Sequence, residues 1–143
     1  MSYGPGGLAV VWSEENSRDY IFDALRRKET YGTSGTRIAL RFFGGWDFKR
    51  KEANKLCENV KFSPNQVALN GGDFVRTGYE KGVPMGSDLP SIKERVKKAP
   101  TFLLAALKDP GFKPEEQENA GSLREDLREK STPLKVIQII KGW

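Results

Sequence analysis

The chain has 143 residues, 37% hydrophobic and 30% charged, the size and composition of one folded domain. It contains no histidine and one cysteine, which excludes a Ser-His-Asp or Cys-His catalytic centre, an internal disulfide and a multi-cysteine zinc site within this sequence. No apolar run approaches the roughly 20 residues of a membrane-spanning helix. The N-terminus also lacks the basic and apolar regions of a signal peptide, so we expect no membrane partner, and the localisation stays open.

The net charge of +5 is concentrated in two segments, residues 49–61 and 93–98. Runs of this kind are usually solvated helix faces, and we favour that interpretation. The alternative function is a basic interaction module that contacts nucleic acid or another polyanion. No aromatic residue alternates with these lysines, so the sequence does not favour a stacking platform for single strands.

The N-terminal elements follow from hydrophobic periodicity and turn residues. Residues 8–12 form an apolar run after glycines, which is typical of a short buried strand. An amphipathic helix is predicted over about 17–27, with Asn16 as its N-cap. A glycine-containing turn at 32–35 then leads to a strand over 36–43, in which Leu40 and Phe42 share the apolar face and Arg41 the polar one.

The C-terminal elements are less regular. A short basic helix is predicted over 49–58 and another from Asp73 to Gly82, although Gly78 disfavours the second. Residues 101–107 are apolar on both faces, like an inner strand, and 135–141 form a second apolar strand. The pattern predicts an α+β fold. In it, the helix near 17–27 packs on a mostly antiparallel sheet of 36–43, 101–107 and 135–141.

Polar residues at the junctions are the candidates for function. Glu14 and Glu15 lie where a strand leads into a helix, although complementing the helix N-terminus is the favoured interpretation of their charge. Arg27 complements the C-terminus of the same helix. Ser34 lies in a two-glycine turn without the lysine and spacing of a phosphate-binding loop, so a tight turn is favoured. No single motif specifies a reaction.

Six segments, taken together, are similar to one protein family. They cover residues 6–18, 24–38, 41–47, 82–86, 105–110 and 137–143, and the first three read GGLAVVWSEENSR, ALRRKETYGTSGTRI and RFFGGWD. In this order they resemble the C-terminal part of the domain-of-unknown-function family DUF3604. Members of that family are related to PHP-type metal-dependent hydrolases, including the CehA/McbA-like esterases.

The resemblance implies hydrolysis of a small-molecule ester or phosphoester by a metal-activated water on a distorted (β/α) barrel. It implies that residues 1–35 are the end of that barrel and that 36–143 are a β-rich C-terminal region with a polar insert at 108–134. The metal ligands, including an Asp-x-His segment, would precede residue 1. A divalent metal, zinc or manganese, is therefore expected in the parent protein and no cofactor in this chain.

The chain begins just before one predicted strand and ends directly after another. We therefore expect a fragment that is inactive alone, with the N-terminal barrel of its own parent as its partner. Five residues are expected to reach the mouth of the active site, and none is assigned as catalytic. They are Glu14, Glu15, Asn16, Arg27 and Ser34.

Overall fold

The computed structural model describes residues 6–50, 56, 72–91, 99–109 and 133–142. Their elements in chain order are β1 (Leu8–Val11), α1 (Arg18–Arg26), β2 (Thr30–Thr33), β3 (Ala39–Gly45), α2 (Gly72–Lys81), β4 (Gly82–Pro84) and β5 (Thr101–Leu107). No helix in this part of the chain is long and apolar enough to cross a membrane.

The strands form two antiparallel sheets. β1 pairs with β2, so that Leu8 lies opposite Thr33. β3 is the middle strand of the other sheet, where Phe43 lies opposite Pro84 of β4 and Leu103 of β5. The predicted α+β class with mostly antiparallel sheets is confirmed. β2, by contrast, occupies residues that the sequence assigned partly to a turn.

The core lies between α2 and the three-stranded sheet. Phe43 of β3 and Phe74 of α2 are fully buried, and their rings meet edge to face with centroids 5.9 Å apart. Leu103 and Ala105 of β5 complete the cluster. The predicted orientation of β3 is wrong, because the face that carries Phe43 and Arg41 is the buried one, while Phe42 on the other face is only half-buried.

The packing of α2 against Phe43 explains why this helix has a glycine, Gly78, in its interior. A Cβ atom built at this position would lie 2.6 Å from two ring atoms of Phe43, far inside van der Waals contact. The missing side chain therefore allows the helix backbone to approach the sheet closely. The glycine that disfavours a helix in the sequence is required by the packing.

α1 is the less buried helix. Ala24 is its only fully covered residue, whereas Tyr20, Phe22 and Leu25 keep 42–56% of their surface exposed. The buried contacts with the sheet that were predicted for this helix are made instead by α2, which follows β3 in the chain and supplies Phe74.

The predicted strand over 135–141 is not formed. Residues 133–142 have no regular secondary structure and are exposed throughout. High β-propensity does not suffice for a strand, since a strand needs a neighbouring edge to supply its hydrogen bonds. The strand predicted over 36–43 also shifts to Ala39–Gly45, because Asp109 accepts a hydrogen bond from the Arg37 amide at 2.7 Å and Tyr31 donates one to the Ile38 carbonyl at 2.9 Å.

Several predictions fall on residues outside the described ranges. They are most of the helix over 49–58 and of the insert over 108–134, and the basic segment 93–98. Of the basic segment 49–61, the structure describes residues 49, 50 and 56. The polyanion-binding alternative therefore stays a prediction.

Candidate functional site

The end of α1 directs a carboxylate into the protein. The Lys28 amide donates to the Leu25 carbonyl at 3.0 Å, and the Glu29 amide donates to the Ala24 carbonyl at 3.1 Å. This pair of bonds is a Schellman motif, in which Lys28 occupies the left-handed position with a φ of 59°. The reversal of the chain leaves Glu29 only 2% exposed.

Glu29 is the centre of a charged cluster. Arg41 Nη1 on β3 lies 2.5 Å from Glu29 Oε1, and the Tyr79 hydroxyl on α2 donates to the same oxygen. Arg27 Nε approaches the other carboxylate oxygen at 3.8 Å, but its side chain is 46% exposed. Since a buried charge is tolerated only when it is paired and hydrogen-bonded, Arg41 and Tyr79 allow Glu29 to be buried. The cluster links α1, β3 and α2.

Burial raises the pKa of Tyr79, and the hydrogen bond to the Glu29 carboxylate and its negative charge raise it further. The positive charge of Arg41 acts in the opposite direction. Burial also raises the pKa of Tyr31. Both phenols are therefore held in their neutral form above their ordinary titration range.

Trp12 connects this cluster to the surface. The Arg41 guanidinium carbon lies 3.9 Å from the centroid of the indole ring, in a cation–π contact. The indole N–H donates to the Leu40 carbonyl at 2.9 Å, and the Trp12 amide donates to the Glu29 carbonyl at 3.0 Å. The ring is thus held by contacts with β3 and with the turn that follows α1.

A pocket of about 290 Å³ opens at the carboxyl end of β1, with Trp12 in its wall. Ser13 shapes the loop by donating from its hydroxyl to the Glu15 carbonyl at 2.6 Å. The pocket has an apolar part and a polar rim. Its lining residues are Val11, Trp12, Ser13, Glu14, Glu15, Asn16 and Ile21.

The five residues expected near a site divide into two groups. Glu14, Glu15 and Asn16 line the pocket together. Arg27 and Ser34 are not among the lining residues. Arg27 pairs with Glu29, and Ser34 lies exposed in the turn after β2. The prediction of Asn16 as the N-cap is wrong, because Ser17 with its extended backbone occupies that position. Asn16 instead belongs to the lining of the pocket.

The buried cluster was not predicted from the sequence. Glu29 follows a run of cations in the sequence, and no local pattern marks it as buried. The alternation of residues in its strand placed Arg41 on the polar face, so it did not indicate burial. Tyr79 and Glu29 are 50 positions apart, and no spacing rule connects them.

The side chains in the described ranges do not gather into a group of three or more Cys, Asp or Glu residues that would hold a metal ion. Glu14 and Glu15 with Asn16 supply only two carboxylates and an amide. These residues do not fit a resident metal centre, and we assign no step through a metal to them.

Comparison with known proteins identifies a family for this chain. The family model described as "Protein of unknown function (DUF3604)" matches residues 1–143. No curated protein and no solved structure matches the chain. Since the family model covers the entire sequence, the chain belongs to the DUF3604 family.

Proposed function

We propose that this chain is the C-terminal part of a PHP-like metal-dependent hydrolase and that it forms part of the rim of the active site. The observation that carries the proposal is the pocket at the end of β1, which Glu14, Glu15 and Asn16 line together with Trp12. The same residues belong to a segment that resembles such hydrolases. Residues 1–35 would then end the barrel, and 36–143 would form the region after it.

The charge of the rim supports an ester rather than a phosphoester as the substrate. The described lining of the pocket includes two carboxylates and no lysine or arginine. The nearby cations Arg27 and Arg41 both pair with Glu29. A phosphoester placed beside the two carboxylates would be repelled by about 1–4 kcal/mol for each close pair of charges. A neutral or positively charged ester group avoids this cost.

The barrel of the parent protein would supply the metal, zinc or manganese, and the metal would activate the attacking water. This chain's contribution would be to position the substrate. Trp12 offers an apolar wall that the Glu29–Arg41 pair holds in place, and Asn16 offers an amide for hydrogen bonding. A substrate held in this way would enter with its ester group oriented toward the barrel.

The first test uses the isolated chain. With zinc or manganese added, it should hydrolyse neither p-nitrophenyl acetate nor p-nitrophenyl phosphate above the metal-only background. A metal-dependent rate that is proportional to protein concentration would contradict a metal centre outside this chain.

The second test uses the product of the coding sequence extended upstream of Met1, which should encode His-x-His and Asp-x-His segments in frame. There, Glu14→Gln with Glu15→Gln should lower the ratio of ester to phosphoester hydrolysis by at least about thirtyfold, since two repulsions of at least about 1 kcal/mol each are removed and about 1.36 kcal/mol corresponds to a factor of ten. The control is Asp19→Asn, an exposed carboxylate of α1 that is absent from the pocket lining. An unchanged ratio would refute the role of the rim, and a product without metal-dependent activity would refute the proposed function.

A further inference from the structure

The C-terminal segment exposes an unusual amount of apolar surface. Apolar and polar residues do not alternate along this segment, and β-branched residues lie on both sides of Gln138. The exposed fractions are 41% for Leu134, 70% for Val136, 58% for Ile137, 69% for Ile139 and 89% for Ile140. Continuous apolar surface of this kind is rare on a monomer and marks an interaction site.

A second apolar surface lies on the sheet, on the face turned away from α2. Phe102 of β5 is 47% exposed there and stacks on Phe42 of β3, with ring centroids 5.3 Å apart. Leu104 and Ala106 of β5 lie on the same face and are half-buried. β5 is also an edge strand of the described sheet, since the strand order is β4-β3-β5 and β3 is the one described strand beside it. An edge strand with apolar faces is a template for another strand.

We propose that residues 135–141 of one chain add as a strand to β5 of a second copy, and that the second copy returns the same contact. The lengths agree, because the segment 135–141 matches the seven residues of Thr101–Leu107. Both surfaces are present on every chain, so a two-fold axis satisfies both contacts at once. The segment, which has no regular secondary structure in the single chain, would gain a neighbouring strand.

The buried area is sufficient for a stable dimer. A fully buried aliphatic side chain removes roughly 100 Å² of apolar surface from water. At the observed exposures, the four apolar side chains of the segment 135–141 would contribute about 290 Å² when fully buried. Two segments and the two surfaces that they cover would then bury about 1,200 Å², which is the lower end of the range for specific interfaces.

The first experiment measures the mass of the isolated chain by sedimentation velocity over a wide dilution range. The wild-type chain should form a dimer. Ile137→Lys with Ile140→Lys should raise the dimer dissociation constant at least about a hundredfold, because each lysine is buried twice in a two-fold interface. Ser87→Lys, in an exposed turn, is the control for added charge and should leave the dimer intact. A wild-type monomer at all concentrations, irregular aggregates, or a lysine variant that still dimerises would overturn the proposal.

The second experiment tests the strand pairing in a Cys57→Ser background. Gln138 is the central residue of the segment and Leu104 the central residue of β5, so a centred register places them opposite each other in either strand direction. Two differently tagged variants, Gln138→Cys and Leu104→Cys, should form a mixed disulfide on oxidation. A dimer that gives no mixed disulfide would overturn the pairing. A third variant carries both cysteines in one chain. If its disulfide forms within that chain, the segment covers its own β5, and this result would also overturn the proposed pairing between copies.

Discussion

Removal of the Glu29 carboxylate should destabilise the fold more than any surface substitution. Glu29 is 2% exposed, and its side chain is the partner of Arg41, which is itself 12% exposed. Glu29→Ala therefore leaves the Arg41 guanidinium buried without an opposite charge. The same change also takes away the acceptor of the Tyr79 hydroxyl.

The expected loss in the free energy of unfolding is about 3 kcal/mol. Removing one member of a buried ion pair costs about 3–5 kcal/mol. The lower end applies here because the Trp12 ring still covers the Arg41 guanidinium, and because Tyr79 is 46% exposed and can bind water. Against a total stability of about 5–15 kcal/mol for a domain, this is a large fraction.

Urea denaturation followed by circular dichroism measures this loss. Arg27→Ala is the matched control, because Arg27 contacts the same carboxylate at 3.8 Å but is 46% exposed. It should change the stability by less than about 1 kcal/mol. The reasoning would be refuted if Glu29→Ala and Arg27→Ala had equal effects, or if Glu29→Ala cost less than about 1 kcal/mol.

Three further predictions concern the packing and the phenols. Gly78→Ala should lower the free energy of unfolding by about 1–3 kcal/mol, because the added methyl group overlaps the Phe43 ring. Glu80→Ala, at an exposed position of α2, should change the urea midpoint little, and a similar result for Gly78→Ala would disprove the close approach. Lys28→Gly should raise the stability by about 0.5–1 kcal/mol, since Lys28 has a φ of 59° that glycine adopts without strain, and calorimetry that shows a lower melting temperature would contradict this. The raised pKa of Tyr79 predicts that stability is fully present below its ordinary value of 10.0 and declines as the pH rises through the pKa of the folded state. Urea midpoints measured across this range should fall less steeply in Tyr79→Phe, and an identical slope would show that the phenol does not contribute.

The sequence by itself determined the elements whose periodicity is local. β5 occupies the predicted residues 101–107, and α1 lies within the predicted 17–27. The helix that contains Gly78 was also predicted from the capping and apolar residues around it. In each case the pattern lies within a single element, and proline or glycine residues mark the ends of β5 and of the helix that contains Gly78.

The residues around the pocket and those of the buried cluster differ in what the sequence indicated about them. The placement of Glu14 and Glu15 between a strand and a helix made them candidates for function, and both belong to the lining of the pocket. The support beneath that pocket was not predictable, since Glu29, Arg41 and Tyr79 come from three different elements. Hydrogen bonds between distant residues leave no periodic trace in a sequence.

Only the tertiary structure decided which faces are buried and which strands have neighbours. Arg41 lies on the buried face of β3 because Glu29 arrives there from the end of α1 and neutralises it. The segment 135–141 has the composition of a strand, yet it is exposed and has no regular secondary structure. Local sequence sets the preference of a segment for a conformation, but burial and pairing depend on what the rest of the chain places beside it.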